Sequence, residues 1–493
     1  MRQTTQTPEN VLIIGSGVGG LTAGIILSKL HYRVTVVEKN PQLGGLMRSY
    51  IRSGIDCPVG VHYMGSLDRG QPLRRLWDYL GVTPSIPIKR MGGDGVIDRY
   101  IFDDFTFDLP EGMDAYEEKL RRSFPLDYHQ ITTIMGDLRR TAHTLNSLDM
   151  ILSPGSNFLS AESFESMGQY LLRMGCSPGL LSVLGVPSTL IGVPLQECPV
   201  FYFHMALASY LLSSWRLACS GSHMADAFVS RFREMGGDIV AGDGVEKILV
   251  ESRQVKGVVL QSGRVLEAGT VIAAIHPKTV VNMLNGDALR PAYMERISHL
   301  EDTKGIFVVN LAVDADAHKP LSYNIYRLYA GKDGALSHGI FHQLRRSEQP
   351  GVNMLSMMTT SGIEEWRKWE GTTSGRRGRE YAEAKEEKAR RFIGEAAKLF
   401  GHLKDMKILD IYTPLTIRDR VHSPGGSAYG ILRSTGQLLK TATLKRTSIG
   451  GLFFAGQNIL APGVMGTTIG SFQAVRNIVG HEKFCRDVGG DIL

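Results

Sequence analysis

Three glycines, Gly15, Gly17 and Gly20, stand in the spacing G-x-G-x-x-G, and an acid, Glu38, follows at the end of an apolar run. Glycines so spaced expose backbone N–H groups that hold an anion. Gly15 permits a tight turn, Gly17 lets a pyrophosphate approach the main chain, and Gly20 lets a helix pack closely on a strand. A carboxylate at Glu38 accepts hydrogen bonds from ribose hydroxyls and repels a 2′-phosphate, which argues against NADP at this site. The elements that must position these groups are written around them. Residues 11–14 are an apolar run of strand length, residues 21–30 repeat apolar side chains at helical spacing, and residues 34–37 form a second apolar run. Strand, glycines, helix, strand and acid in register predict a dinucleotide-binding βαβ unit.

Bulk properties narrow the remaining classes. A chain of 493 residues is too long for one small core, so two joined domains are expected. With 43% hydrophobic and 21% charged residues, disorder is not the default. The net charge of +6 is spread along the chain without a basic block, which argues against nucleic acid and suits an anionic cofactor or an anionic membrane surface. Five cysteines without a C-x-x-C pattern indicate neither a zinc site nor a disulfide framework. The polar start of the chain carries no signal peptide ahead of the first strand, and a reducing, cytoplasmic setting is expected.

Beyond Glu38 a glycine-rich loop, Leu43-Gly44-Gly45-Leu46-Met47-Arg48, precedes Gly60-Val61-His62-Tyr63. Residues 100–109 read as short strands, residues 114–147 as helix, and residues 178–217 as a conspicuously apolar stretch broken by prolines. Residues 221–275 return to nucleotide-domain character. An amphipathic helix (222–235) is followed by a strand (238–240), a hairpin-like pair (245–252 and 255–261) and a buried strand (270–275). Residues 277–429 read as less regular, apart from a charged helix at 380–399 with a solvated face. Gly451–Gly456 is a further buried strand, and residues 463–479 add glycines and a helix.

In this order the motifs resemble the phytoene desaturase-like branch of the FAD-dependent amine oxidase superfamily, which includes carotenoid isomerases and retinol saturases. The residues carrying the likeness are the opening glycine unit with Glu38, Leu43-Gly44-Gly45, Gly60-Val61-His62-Tyr63, Cys219-Ser220-Gly221-Ser222 and Gly236-Gly237-Asp238-Ile239. Val245-Glu246-Lys247-Ile248, Thr413-Pro414-Leu415-Thr416, Ala428-Tyr429-Gly430, Gly456-Gln457 and Pro462-Gly463-Val464-Met465-Gly466 complete it. The resemblance implies an α/β fold. A Rossmann-like FAD-binding domain, made of a doubly wound sheet and a small β-meander, carries an inserted α+β substrate domain. The implied pieces are 1–92, 219–285 and 436–493 for FAD, and 93–218 and 286–435 for substrate.

Carried over by position, Gly15, Ser16, Gly17, Gly19 and Gly20 line the pyrophosphate, and Glu38 with Lys39 meets the adenosine ribose. Val245 meets adenine through its backbone. Gly44, Gly45 and Arg48, with Gly456, Gln457, Gly463, Val464, Met465 and Gly466, lie along the ribityl chain and flavin. Two positions depart from the pattern: Leu46 stands where many relatives have arginine, and Gln457-Asn458 where many have an acid. A helix starting near Val464 or Met465 would aim its positive end at the flavin pyrimidine ring.

The resemblance also implies a hydrophobic small-molecule substrate, a polyene or isoprenoid, whose C=C bonds exchange hydride with flavin N5. Desaturation, saturation and redox-neutral isomerisation share that geometry. His62 and Tyr63 are the candidate catalytic proton carriers. Phe201, Phe203, Tyr210 and Tyr429 are the candidate substrate contacts. The apolar stretch is expected to line a tunnel and to touch the inner face of a membrane peripherally. With no second glycine motif, electrons pass to or from substrate, quinone, NAD(P)H or O2. Two other classes stay open, an amine oxidase-type flavoenzyme and a non-catalytic flavin- or lipid-binding protein. No metal-ligand cluster is visible.

Overall fold

A computed structural model describes residues 9–153, 164–218, 220–286, 288–445 and 447–493. The polar start of the chain and Cys219 lie outside the described residues. The apolar run after Asn10 is the strand Asn10–Ile14, and the helix Val18–Lys29 follows the glycines, buried from Gly19 to Ser28. A helix apolar all round needs cover on every side. Here the helices Gly221–Glu234 and Gly463–Val479 pack against it.

The strand Arg33–Glu38 lies parallel to Asn10–Ile14 and ends on the acid. Together they form the centre of a five-stranded sheet ordered Asp238–Ala241, Arg33–Glu38, Asn10–Ile14, Thr270–Ala273, Leu452–Phe454, with every pair parallel. Its strand order reverses beside Asn10–Ile14, the place where Rossmann-like sheets open a crevice at their carboxyl ends. Three separated stretches of chain build this one sheet. A three-stranded antiparallel meander, Val245–Glu251, Gln254–Leu260 and Val265–Glu267, stands beside it. Its third strand adds to the hairpin read from the sequence.

Residues 277–429, read as less regular, contain most of a regular sheet. Gly305–Asp314, Asn324–Ala330, Leu336–Arg346, Val352–Ser361 and Lys407–Tyr412 join Asp98–Ile101 and Thr106–Leu109 in seven strands. The polar residues Asn310, Asn324, His342, Gln343, Asn353 and Ser356 are buried in it, which breaks the alternation that would have announced strands. The single helix expected over residues 114–147 is two, Met113–Ser123 and Tyr128–Asn146. Pro125 lacks an N–H and forces Phe124 to φ −133°, ψ 67°, so the chain turns between them.

The apolar stretch 178–217 becomes the helices Pro178–Thr189 and Val200–Leu212 and the strand Ser214–Leu217. No helix among the described residues is long and apolar enough to cross a membrane. The helix Val200–Leu212 contributes to two cores: Phe203, Leu207 and Leu211 join the helical layer, and Met205 joins the core of the parallel sheet.

Candidate functional site

The glycine loop is closed on one side and open on the other. A Cβ on Gly20 would stand 1.9 Å from the Gly15 carbonyl oxygen, and Gly15 itself has φ +101°. A Cβ on Gly19 would stand 2.7 Å from Gly456 Cα, so the loop and the segment after Leu452–Phe454 touch backbone to backbone. Gly17 differs. A Cβ there meets nothing within 4 Å, and as the residue before the helix Val18–Lys29 it offers no side-chain cap. Unsatisfied N–H groups at the helix start therefore face an open approach at Gly17, the arrangement a diphosphate requires. On this observation the loop fits a dinucleotide.

Glu38 is buried and fully engaged. Its Oε2 accepts from the Ser16 N–H (3.0 Å) and the Ser16 hydroxyl (2.7 Å). Its Oε1 accepts from the Asn40 N–H (2.8 Å) and the Asn40 side-chain amide (3.2 Å). A ribose hydroxyl at Glu38 has to displace one of these donors, and the Asn40 amide makes the longest bond. The Ser16 hydroxyl also accepts from the Gly44 N–H (3.1 Å), which pins the second glycine loop over the first.

Arg48 closes that second loop, donating to the carbonyls of Gly45 (2.8 Å), Gln42 (3.3 Å) and Arg420 (3.1 Å). Burial lowers its pKa, and the Glu38 charge opposes that shift. Lys39 and Val245 lie near one another, for a Cβ on Gly244, the residue before Val245, would stand 2.9 Å from Lys39 Cβ. Val245 opens the strand Val245–Glu251 next to the carboxyl end of the parallel sheet.

The helix Gly463–Val479 starts at Gly463 rather than at Val464 or Met465, and Pro462 before it supplies no side-chain cap. Gly456 (φ +88°) and Gly463 (φ +79°) both adopt backbone that disfavours other residues. A Cβ on Gly466 would stand 2.6 Å from the Ala461 carbonyl oxygen. Gln457 lies beside Gly430, whereas Asn458 is structural: its Oδ1 accepts from the Ile431 N–H at 2.9 Å.

His62 and Tyr63 lie close to both halves of this site. A Cβ on Gly45 would stand 3.0 Å from Gly17 Cα, and one on Gly60 3.1 Å from Leu46 Cβ, so contact runs from the phosphate turn through the second loop to Gly60, two residues before His62. From the other side, Ser209 Oγ lies 3.8 Å from Met465 Sδ, and the next residue, Tyr210, sets its ring 4.6 Å from Tyr63.

The two neighbours then diverge. Both ring nitrogens of His62 are enclosed and have no hydrogen-bond partner among the described residues, and burial, helped by Arg345, lowers its pKa to about 4. It is a neutral imidazole facing a cavity of about 20 Å³ walled by Pro58, Val61, Arg216, Gln343 and Arg345, room for about one water.

Tyr63 instead joins a buried carboxyl that the sequence reading missed. Its hydroxyl donates to Asp98 Oδ2 (3.1 Å) and lies 2.8 Å from the Tyr326 hydroxyl. Asp98 is 1% exposed, and its Oδ1 accepts from the Asn324 amide (2.8 Å). Asp98 and Asn324 are direct partners across parallel strands. The Gln343 amide donates to Asn324 Oδ1 (3.0 Å) and to the His62 carbonyl (3.2 Å), linking the network to the loop. Burial pushes the Asp98 carboxyl up to about 7, against the pull of Asn324, Tyr63 and the Arg216 charge. A lone Asp in Ile97-Asp98-Arg99-Tyr100 reads as solvated, and the one available signal was its place at the edge of an apolar run.

Burial raises the phenol pKa values of Tyr63, Tyr210 and Tyr429, yet each keeps accessible surface. Leu46, Gln457, Val464 and Met465 are likewise only partly buried. The candidate substrate residues do not all converge here. Tyr210 stands beside Tyr63, and Tyr429 packs on Gly192. Phe203 is fully buried in the helical core, and Phe201 packs against the parallel-sheet core beside Tyr202.

Comparison with known proteins agrees with this geometry. The family model for an NAD(P)-binding Rossmann-like domain matches residues 13–80. An all-trans-retinol 13,14-reductase of Macaca fascicularis is 24% identical over 99% of this chain and 89% of its own. A chloroplastic prolycopene isomerase of Arabidopsis thaliana is 25% identical over 97% of this chain and 85% of its own. A 4,4'-diapophytoene desaturase of Methylomonas is 26% identical over 62% of this chain and 61% of its own. The chain is a relative of the phytoene desaturase, carotenoid isomerase and retinol saturase-like proteins. An oxidoreductase of Methanosarcina mazei shares the fold with a TM-score of 0.68 at 16% identity, covering 95% of this chain and 99% of its own. Putrescine oxidase shares it at 0.65 and 15% identity, covering 96% and 99%. Those two structures establish the fold alone.

Proposed function

We propose that the protein is an FAD-dependent oxidoreductase acting on C=C bonds of a hydrophobic polyene or isoprenoid. The observation that carries the reading is the partly accessible aromatic wall of Tyr63 and Tyr210, joined to the glycine loop through Leu46 and to the start of Gly463–Val479 through Ser209. Near-full-length similarity to a retinol reductase and a carotenoid isomerase supports it.

In this reading Gly15, Ser16, Gly17, Gly19 and Gly20 hold the pyrophosphate, Glu38 and Lys39 the ribose, and Val245 the adenine. Gly44, Gly45 and Arg48 cover the dinucleotide, and Gly456, Gln457 and Gly463–Gly466 follow its flavin half. FAD, when bound, supplies two-electron hydride chemistry to or from a carbon of the substrate. The helix Gly463–Val479, whose N-terminus has no side-chain cap, would favour negative charge on the flavin half of a bound FAD. Tyr210, Tyr429 and the apolar wall orient an extended conjugated chain and exclude water. His62, neutral near pH 7, acts as a polar contact and not as a charged acid.

In the proposed division, pieces 1–92, 219–285 and 436–493 carry the five parallel strands, and 93–218 with 286–435 carry the seven-stranded sheet. The small sheet of Met64–Gly65, Ser214–Leu217 and Ile88–Arg90 joins the two, so that Tyr63 of the first piece meets Tyr210 of the second. The protein is proposed to meet the inner face of a membrane through the turn Pro125–Asp127, where Leu126 is 93% exposed beside Tyr128, Arg121 and Arg122.

The test is anaerobic incubation of oxidised and reduced holoprotein with a panel of polyenes and a panel of amines. A polyene product that has lost or gained a pair of hydrogens, or has isomerised, is expected. Turnover of amines alone, or a colourless protein that never takes up FAD, would sink the reading.

A further inference from the structure

Tyr63 stands at a boundary. Tyr63 is only partly buried, its ring packs 4.6 Å from that of Tyr210, and its hydroxyl is bonded to a carboxyl buried in the seven-stranded sheet. Asp98 has no carboxylate–cation contact within ion-pair distance among the described residues. The charged and titratable groups that face it are Arg216 on Ser214–Leu217, Tyr63 on its loop, Tyr100 on its own strand, Tyr210 on Val200–Leu212 and Tyr326 on Asn324–Ala330. An isolated buried carboxyl is costly to retain unless its neighbours satisfy it. Here Asn324 and Tyr63 do so, and Gln343 fixes Asn324 in turn. Among the described residues, the hydroxyl that bonds this carboxyl and belongs to the partly accessible aromatic wall is that of Tyr63.

We propose that Tyr63 and Asp98 form a proton relay, so that the protein adds or removes hydrogen across a C=C bond and does not merely isomerise it. The inference rests on the proposed polyene oxidoreductase function and gives it a direction of net chemistry. In saturation, one alkene carbon receives a hydride with its electron pair from reduced FAD. The adjacent carbon receives the Tyr63 hydroxyl proton, and Tyr63 recovers a proton from the Asp98 carboxyl. The π bond breaks and two C–H bonds form. FAD ends oxidised, and Asp98 ends as a carboxylate that regains its proton from solvent by way of the Tyr63 hydroxyl once product has left. Desaturation runs the same steps backwards with oxidised FAD. Tyr63 is the catalytic residue, and Asp98 is a positioning residue that acts through it. Isomerisation by return of the same hydride needs no such carrier.

The test is single-turnover reaction of dithionite-reduced holoprotein with polyenes across pH, for wild type, Tyr63→Phe and Asp98→Asn. The expected product has gained two hydrogens. The wild-type rate should fall as pH rises through about 7, where Asp98 loses its proton. Tyr63→Phe should slow the reaction by about 10²–10⁴-fold, and Asp98→Asn should slow it and abolish the pH limb, both with FAD content unchanged. A second measurement needs no turnover. The infrared carbonyl stretch of a protonated carboxylic acid should be present in wild type at pH 6, fade through neutral pH, and be missing in Asp98→Asn. Isomerised product of unchanged mass, variants with wild-type rate and pH profile, or no such infrared band would each overturn the relay. Polyenes that react normally in both variants defeat the relay alone, whereas no reaction with any polyene defeats the functional reading and the relay with it.

Discussion

Ser16 and Glu38 are joined twice, through the Ser16 main-chain N–H at 3.0 Å and its hydroxyl at 2.7 Å, and the same hydroxyl receives the Gly44 N–H at 3.1 Å. One small side chain thus ties the acid at the end of the second strand to both glycine loops. Ser16→Ala leaves the buried Gly44 N–H without its acceptor. Stability should drop by about 1–3 kcal/mol in urea titration. A loss within about 0.5 kcal/mol would show that Gly44 finds another partner.

The glycines of the first loop separate binding from folding. Gly17 has room for a side chain and an extended backbone conformation, so Gly17→Val should keep apo stability within about 1 kcal/mol. The added methyls fill the anion's approach, and FAD affinity should weaken at least ~10-fold, or about 1.4 kcal/mol. Gly20→Ala drives a Cβ to 1.9 Å from a backbone oxygen and should cost about 1–3 kcal/mol of stability with or without cofactor. Stoichiometric FAD retained by purified Gly17→Val would remove the pyrophosphate from this loop.

Acid should destabilise the protein through buried imidazoles. His62, His204 and His342 each have a pKa lowered by burial from 6.5 to about 4. Between those values the unfolded chain binds more protons than the native one, so their stabilising contribution is present above pH 6.5 and is lost as pH falls toward 4. Asp98 acts in the opposite sense, since its raised pKa favours the native state at low pH and fades as pH rises through about 7. Three histidines outweigh one aspartate. The urea midpoint should therefore fall from pH 6.5 to pH 4, and His342→Phe should make that fall shallower. An unchanged slope would assign the acid sensitivity to other groups.

Contact with a bilayer should depend on one turn. Burying Leu126, 93% exposed, in the acyl boundary is worth about 1.5–3 kcal/mol, while Arg121 and Arg122, paired with Glu117 and Glu118, can exchange those partners for anionic headgroups. Wild type should pellet with anionic liposomes at low salt, and Leu126→Asp should reduce the bound fraction about tenfold or more. Equal pelleting of the two proteins would move the contact elsewhere.

The opening βαβ unit is legible in the sequence because its determinants are local. Gly15, Gly17, Gly20 and Glu38 lie within one unit, and backbone geometry allows few alternatives at such spacing. The seven-stranded sheet is not, because its strands bury amides and imidazoles such as Asn324, His342 and Gln343 on faces where periodicity leads one to expect apolar side chains. Asp98 was hidden for the same reason. Its partners Tyr63 and Asn324 lie 35 and 226 residues away, so nothing near it in the chain marks it as a buried acid. His62 and Tyr63 were visible as a pair, but only the surroundings distinguish them, a neutral imidazole at a small void and a phenol bonded to a carboxyl.

The central parallel sheet takes its edge strand, Leu452–Phe454, from a stretch of chain far downstream of its neighbour, Thr270–Ala273. During synthesis the ribosome must therefore pass Phe454 before that edge can be completed. Until then nascent chains wait with an unpaired strand edge exposed to chaperones and proteases.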